Sequence, residues 1–358
     1  MTLTPRKRVR VLVVDDSAIN RRAITSRLTA SGEVEVVARA GDGNEALRLA
    51  YDLRPDVITL DLEMPRMDGF SFLRLLMASR PTPVIVVSSY SQKENVFRAL
   101  ELGAVDFVAK PDTTLGVDAD EVLSGLLQKV LLFRQEAKEK VNVRPSYQPS
   151  STGARRKMPT LVEAPRLAPR ALVGVVASTG GPSALSELFT QLSSRGSYAV
   201  LVAQHMPERF TKTFAERLDR KSVLTVKEAQ DGDIVVGHSA FVCPGRQCME
   251  VETATAGQLR VRLSAPSEHD KYAPSGNRLL ASIAQAARSR SIGIIMTGMG
   301  DDGTEGARSI ISAGGVVIAE SEETAVINGM PGSAVRAGVV TVSLPLYRIA
   351  EYLDELVR

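Results

Sequence analysis

The residues most able to do chemistry near the start of the chain are Asp15, Asp16 and Asp61. Each closely follows a short run of β-branched and aliphatic residues. Ser88 and Lys110 close two later runs of the same kind. Carboxylates gathered at neighbouring strand ends raise one another's pKa unless a cation sits among them. A hard divalent ion that prefers oxygen ligands, Mg2+, meets that need. A hydroxyl and an ammonium on the same rim could bind the oxygens of a phosphoryl group on Asp61. One acidic residue after a strand is an ordinary turn former. Acids, a hydroxyl and an amine after the first, third, fourth and fifth strands form a pattern that turns alone do not explain.

A second set lies further along. Ser178 stands in Ala177-Ser178-Thr179-Gly180-Gly181-Pro182, where a strand gives way to a helix. The N–H groups of such a helix start could bind a phosphate or form an oxyanion hole beside a nucleophilic serine. The Gly-x-Ser-x-Gly elbow of lipase-type hydrolases is absent. A serine nucleophile needs a base, and the chain has 3 histidines. His238 falls in a turn and His269 in a polar run, whereas His205 directly follows a strand, which makes it the best base candidate. The base in turn needs an orienting acid. The loop Thr297-Gly298-Met299-Gly300-Asp301-Asp302-Gly303 supplies one, and chemistry alone does not choose between Asp301 and Asp302.

Two parallel sheets are needed to position these groups. Residues 9–14, 34–39, 56–60, 83–87 and 105–109 read as buried strands, alternating with amphipathic stretches such as 44–53 and 91–102. That alternation predicts a doubly wound, five-stranded parallel α/β domain over residues 8–127. Prolines 145, 149, 159, 165 and 169 and the run Ser150-Ser151-Thr152-Gly153 make residues 128–168 a flexible linker. A second α/β domain, with a mostly parallel sheet, is expected over 169–358. Its strands are predicted at 172–177, 199–203, 240–242, 258–263, 292–296 and 316–319, with helices after Pro182, Pro207, Ser275, Thr304 and Tyr347.

Composition narrows the function classes. A chain of 358 residues, 44% hydrophobic and 24% charged, has the make-up of a soluble two-domain protein. A net charge of +3 gives no reason to expect nucleic-acid or membrane binding. No helix-turn-helix pattern stands in the second half, which argues against a DNA-binding output domain. No signal peptide or membrane-spanning run is seen, so a cytoplasmic location is expected. Cys243 and Cys248 are expected to be reduced thiols rather than a disulfide or a zinc site.

The segments Val13-Val14-Asp15-Asp16-Ser17, Asp61-Leu62-Glu63-Met64-Pro65, Asp68-Gly69, Val87-Ser88-Ser89 and Lys110-Pro111 resemble the response-regulator receiver domains, a flavodoxin-like fold. The resemblance implies that Asp61 accepts phosphate from a histidine kinase. It implies Mg2+ held by Asp16, Asp61 and the backbone carbonyl of Glu63, with Asp15 assisting, and Ser88 and Lys110 sensing the phosphate. Phe107 stands where many receivers carry an aromatic switch residue, and a buried core phenylalanine reads equally well. The Lys110–Pro111 bond is a candidate cis peptide.

The segments Ser178-Thr179-Gly180-Gly181-Pro182, Ala203-Gln204-His205-Met206-Pro207, Cys243-Pro244-Gly245, Thr297-Gly298-Met299-Gly300-Asp301-Asp302-Gly303 and Gly329-Met330-Pro331 resemble the chemotaxis protein-glutamate methylesterases. That resemblance implies Ser178 as nucleophile, His205 as base and Asp302 as orienting acid. Thr179 and Gly180 would form the oxyanion site, and Met299 would lie beside the nucleophile. It further implies demethylation of glutamyl esters, and deamidation of glutamines, on methyl-accepting chemoreceptors, with no cofactor for the ester reaction. Phosphorylation of Asp61 is expected to raise that activity. Two positions depart from the family pattern: Cys248 replaces a frequent histidine, and Asn277 a frequent aspartate.

Overall fold

In a computed structural model the described residues are 7–89, 92–110, 119–134, 168–254 and 257–357. The chain divides into two compact units, Met1–Pro149 and Ser150–Arg358.

In the first unit the strands are β1 (Val9–Val14), β2 (Val34–Ala40), β3 (Val57–Leu60), β4 (Val84–Ser88) and β5 (Asp106–Ala109). The helices are α1 (Ala18–Ala30), α2 (Gly43–Leu53), α3 (Gly69–Ser79), α4 (Lys93–Glu101) and α5 (Ala119–Leu131). All strand pairs are parallel, in the order β2-β1-β3-β4-β5. Every residue of β3 and β4 is buried, as continuous apolar runs covered on both faces require. Short polar side chains start the helices that follow the strands. Ser17 accepts from Asn20 N–H, Asp42 from Asn44 and Glu45 N–H, and Asp68 from Ser71 N–H. The order of strands reverses between β1 and β3, and a crevice opens at their carboxyl ends.

α5 continues past Leu127 to Leu131, and Val130 on it and Phe133 just beyond it are buried. Most of the expected linker, and the Lys110–Pro111 bond, lie outside the described residues. Phe107 is buried and meets Phe97 edge-on, with ring centroids 6.4 Å apart.

The second unit has a seven-stranded sheet, all parallel, in the order β14-β13-β12-β6-β7-β9-β8. Its strands are β6 (Ala171–Ala177), β7 (Tyr198–Gln204), β8 (Thr225–Glu228), β9 (Ser239–Val242), β12 (Ser291–Ile295), β13 (Val316–Glu320) and β14 (Val342–Leu344). The strand expected at 258–263 is not part of this sheet. It is β11 (Leu259–Ser264), in an antiparallel hairpin with β10 (Cys248–Thr253). The helices are α6 (Gly181–Gln191), α7 (Glu208–Lys221), α8 (Gly276–Ala287), α9 (Thr304–Ser312), α10 (Met330–Arg336) and α11 (Leu346–Leu356). From β6 the chain builds outward to β7 on one side and later returns to β12 on the other. The crevice between β6 and β12 is therefore a topological switch point.

Helices α8 and α9 approach closely at Gly306. A methyl group there would stand 2.7 Å from both the Asn277 carbonyl oxygen and Leu280 Cβ. On helix propensity alone, Gly306→Ala would stabilise by roughly 0.8–1 kcal/mol. The contact reverses the sign, because an overpacked site costs about 1–3 kcal/mol. Urea denaturation of the Gly306→Ala chain is expected to show a lower midpoint. A raised midpoint would contradict this account of the helix contact.

Both cysteines are buried and unpaired by disulfide, and burial pushes each thiol's pKa up. Among the described residues no helix is long and apolar enough to cross a membrane.

Candidate active site

Two constellations form at the two switch points. In the first unit, Asp15 and Asp16 follow β1 and Asp61 follows β3. Each offers a carboxylate oxygen, and these atoms lie within 4.8 Å of one another. Asp15 and Asp61 are buried, while Asp16 and Glu63 are exposed. Lys110, one residue past β5, reaches across the sheet edge. Its Nζ donates to Asp61 Oδ2 at 2.6 Å and lies 3.1 Å from Asp15 Oδ2. Burial pushes the Asp61 pKa up, and the hydrogen bond and charge of Lys110 oppose that rise. Burial works against the Lys110 ammonium, but its bond to Asp61 and the charges of Asp61 and Asp15 outweigh it, so its pKa is raised. One ammonium faces a cluster of carboxylates, so the donor set is hard, oxygen-rich and short of positive charge. That composition fits a divalent cation. Ser88, fully buried at the end of β4, donates its hydroxyl to Gln92 Oε1 at 2.7 Å.

In the second unit the strand register does the positioning. β6 and β7 pair with Ala177 opposite Gln204, so Ser178 and His205 are the next residues out from two neighbouring strands. The His205 N–H donates to the Ala177 carbonyl at 3.0 Å, which ties the two turns together. His205 Nε2 lies 2.8 Å from Asp302 Oδ2. Asp302 is fully buried and accepts from Gly276 N–H at 2.7 Å, Asn277 N–H at 3.0 Å and its own neighbour Gly303 N–H at 3.0 Å. With Nε2 protonated towards the carboxylate, Nδ1 is left as the acceptor nitrogen of the ring.

Spacing left Asp301 and Asp302 equivalent, and the structure separates them. Asp301 is exposed and takes hydrogen bonds from Lys271 Nζ at 2.7 Å and Tyr272 OH at 3.0 Å. The Lys271 bond holds its carboxyl below the usual carboxylate range. Met299 is 44% exposed, on the same loop. The adjacent Gly298 packs so closely that an added Cβ would stand 2.7 Å from Ser178 Cβ. Thr179 is buried, and Gly180 caps α6 in the left-handed region at φ 80°. The other two histidines are not part of this group: His238 sits in a turn at φ 62°, and His269 lines a cleft of about 390 Å³ with Tyr272, Asn277, Asp301 and Thr304.

Several residues that hold the site together take no role from the motifs, although Thr297 and Gln204 stand inside two of them. Thr297 is fully buried. Its carbonyl accepts from Ser178 N–H at 3.0 Å, and its hydroxyl donates to the Thr179 carbonyl at 2.9 Å. Its own N–H donates to buried Glu320 at 2.9 Å, and Thr324 donates to the other Glu320 oxygen. Gln204 Nε2 donates to the carbonyls of both Ser178 and His205 at 3.0 Å. A glutamine at the end of an otherwise apolar strand was the one visible hint. The two departures from the family pattern also find places. The Asn277 side-chain oxygen caps α9 by accepting from Glu305 and Gly306 N–H at 3.0 Å. Cys248 is buried at the first position of β10.

Comparison with known proteins agrees with this division. Residues 173–353 match the CheB methylesterase family, and residues 11–116 match the response regulator receiver domain. A protein-glutamate methylesterase/protein-glutamine glutaminase of Myxococcus xanthus is 45% identical over 350 residues, covering 98% of this chain and 97% of that protein. A protein of the same description from Pyrococcus abyssi is 37% identical over 353 residues, covering 98% and 94%. The crystal structure of the Thermotoga maritima CheB methylesterase catalytic domain is 39% identical with a TM-score of 0.51, covering 52% of this chain and 98% of that one.

Proposed function

The chain belongs to the CheB methylesterase family, and from that premise we propose how its own residues carry out and regulate protein-glutamate methylesterase chemistry. The substrate is a glutamyl methyl ester on a chemoreceptor helix, and the products are the free glutamate and methanol. Receptor glutamines are deamidated at the same site, with ammonia released. The observation that carries the reading is the 2.8 Å contact of His205 Nε2 with Asp302, one register step from Ser178 on the adjoining strand.

Ser178 Oγ attacks the ester carbonyl carbon, and its proton passes to His205 Nδ1. Asp302 holds the ring in this tautomer and faces the positive charge that develops on it. The tetrahedral oxyanion is held by backbone N–H groups at Thr179 and Gly180, with Met299 against the bound side chain. His205 returns the proton to the departing methanol oxygen. Water then attacks the acyl-serine, giving its proton to the same nitrogen, and Ser178 is restored. No cofactor takes part in this cycle.

Asp61 is the regulatory input. A histidine kinase provides the phosphoryl group, which passes to the Asp61 carboxylate. Asp16, Asp61 and the Glu63 carbonyl, with Asp15 assisting, would hold Mg2+, which when bound would neutralise charge on the phosphoryl oxygens. Lys110 already touches Asp61 and would pair with a phosphoryl oxygen. Ser88 would exchange its Gln92 partner for another. The reaction would take place in the cytoplasm, on the cytoplasmic helices of chemoreceptors.

The reading is tested by measuring methanol and ammonia from receptor membranes carrying methyl esters and glutamines. Both products are expected, and both are expected to disappear in Ser178→Ala. Ammonia without methanol would overturn the ester assignment. Chelation separates the two units. EDTA is expected to abolish phosphorylation of Asp61 by a small-molecule phosphodonor, and with it the stimulated rate, and to leave the unstimulated ester hydrolysis unchanged. Loss of the unstimulated rate as well would place a metal in the hydrolytic step.

A further inference from the structure

The His205 ring has one contact that the triad chemistry does not use. The Tyr272 ring stacks on it, with centroids 5.0 Å apart and 12° between the planes. We propose that Tyr272 is a positioning residue for His205, and that Asp301 and Lys271 hold Tyr272 in place. The inference rests on the reading of His205 as the base.

A single hydrogen bond from Nε2 to Asp302 fixes a distance, but it leaves the imidazole free to swing about that bond. Each swing moves Nδ1, the nitrogen that must meet the serine proton. A flat surface against the ring face removes this freedom, and Tyr272 is that surface. The phenol is itself pinned at its far end: its hydroxyl donates to Asp301 Oδ1 at 3.0 Å. Lys271 Nζ donates to the same oxygen at 2.7 Å and lies 5.0 Å from the phenol ring centroid.

A second, independent observation concerns the backbone beneath the phenol. Gly300 adopts φ +92°, and a Cβ there would stand 2.2 Å from Tyr272 OH. The loop that carries Asp301 and Asp302 therefore keeps its glycine where the tyrosine lies on it. The same loop divides its two acids between two partners. Asp302 points inward to His205, and Asp301 points outward to Tyr272. The segment that begins at Tyr272 also supplies the Gly276 and Asn277 N–H groups that hold Asp302. One short stretch of chain thus fixes His205 through its face and through its acid. Small displacements of this kind cost rate rather than affinity, about 100-fold for roughly 1 Å.

The test compares Tyr272→Leu, Tyr272→Phe and Asp301→Asn in the full-length chain. Tyr272→Leu is expected to lower kcat for receptor ester hydrolysis by about 10- to 100-fold with little change in KM. Tyr272→Phe keeps the stacked ring and should retain a third or more of wild-type kcat. Asp301→Asn still offers an amide oxygen to the Tyr272 hydroxyl and should lose no more kcat than Tyr272→Phe. The proton spectrum of the His205 ring reports the stack itself, identified by its loss in His205→Gln. The Tyr272 ring current should shift its signals upfield in the wild type and in Tyr272→Phe, and the shift should vanish in Tyr272→Leu. An unchanged kcat in Tyr272→Leu would overturn the proposal. So would a rise in KM alone, which marks a substrate contact, or a Tyr272→Phe loss as deep as that of Tyr272→Leu. The spectrum does not depend on turnover. If Ser178→Ala leaves hydrolysis intact, the nucleophile assignment fails while the stack is still tested.

Discussion

Ser178→Ala is expected to cut receptor ester hydrolysis by about 10⁴- to 10⁶-fold, with KM little changed. Removing the nucleophile removes the acyl-serine route altogether, and only what the oxyanion donors and binding can do is left. The change deletes one oxygen from a half-buried position and leaves the turn intact. Ser178 N–H still donates to Thr297, and its carbonyl still accepts from Gly181 N–H and Gln204. Stability should therefore stay the same. Nucleophile and base act as a unit, so Ser178→Ala combined with His205→Gln should be no worse than Ser178→Ala alone. Rates of methanol release for the three variants decide this. A double variant that loses the product of the two single effects would mean that the residues act in separate steps.

Asp302→Asn is expected to lower kcat by about 10⁴-fold and to destabilise the fold as well. The reason lies in which groups surround the carboxylate. Oδ1 accepts from the Asn277 and Gly303 N–H groups, and Oδ2 accepts from Gly276 N–H while facing His205 Nε2. An amide has one oxygen, so either orientation sets an NH2 donor against at least one backbone N–H donor. With the oxygen on the Asn277 and Gly303 side, the NH2 faces His205. It would then draw the proton from Nε2 to Nδ1 and leave no acceptor for Ser178. A buried donor without a partner costs about 1–3 kcal/mol. Initial rates and urea midpoints should therefore fall together. Asp301→Asn provides the contrast, because Asp301 is exposed and its partners are Lys271 and Tyr272. A larger rate loss in Asp301→Asn than in Asp302→Asn would exchange the roles of the two acids.

The chemistry-bearing residues were legible because each one ends an apolar strand. Period and burial predict the strand, and the next polar residue falls at the sheet edge. This held for Asp61 after β3, Ser178 after β6 and His205 after β7, whose strands are buried along their whole length. The choice between Asp301 and Asp302 was not legible from spacing, since both lie in one glycine-rich loop. It depends on Gly276 and Asn277, some 25 residues away in sequence. The contacts of Glu320, Thr297 and Gln204 were not legible for the same reason: their partners are set by the tertiary fold. Strands β8 and β14 were missed because they lie at the sheet edges, where three residues of each are exposed or half-buried and no apolar run is needed. Helix α5 keeps its buried face through Val130, beyond Leu127.

Asp61 and Ser178 are the two ends of one proposed mechanism, an input that does no chemistry on the substrate and an output that does all of it. The most direct test is the initial rate of methanol release from methylated receptor membranes, with and without a small-molecule phosphodonor, for the wild type and Asp61→Asn. The wild-type rate should rise on phosphorylation, and the Asp61→Asn rate should stay at the unstimulated level under both conditions. Equal stimulation of Asp61→Asn, or no methanol from the phosphorylated wild type, would contradict the account.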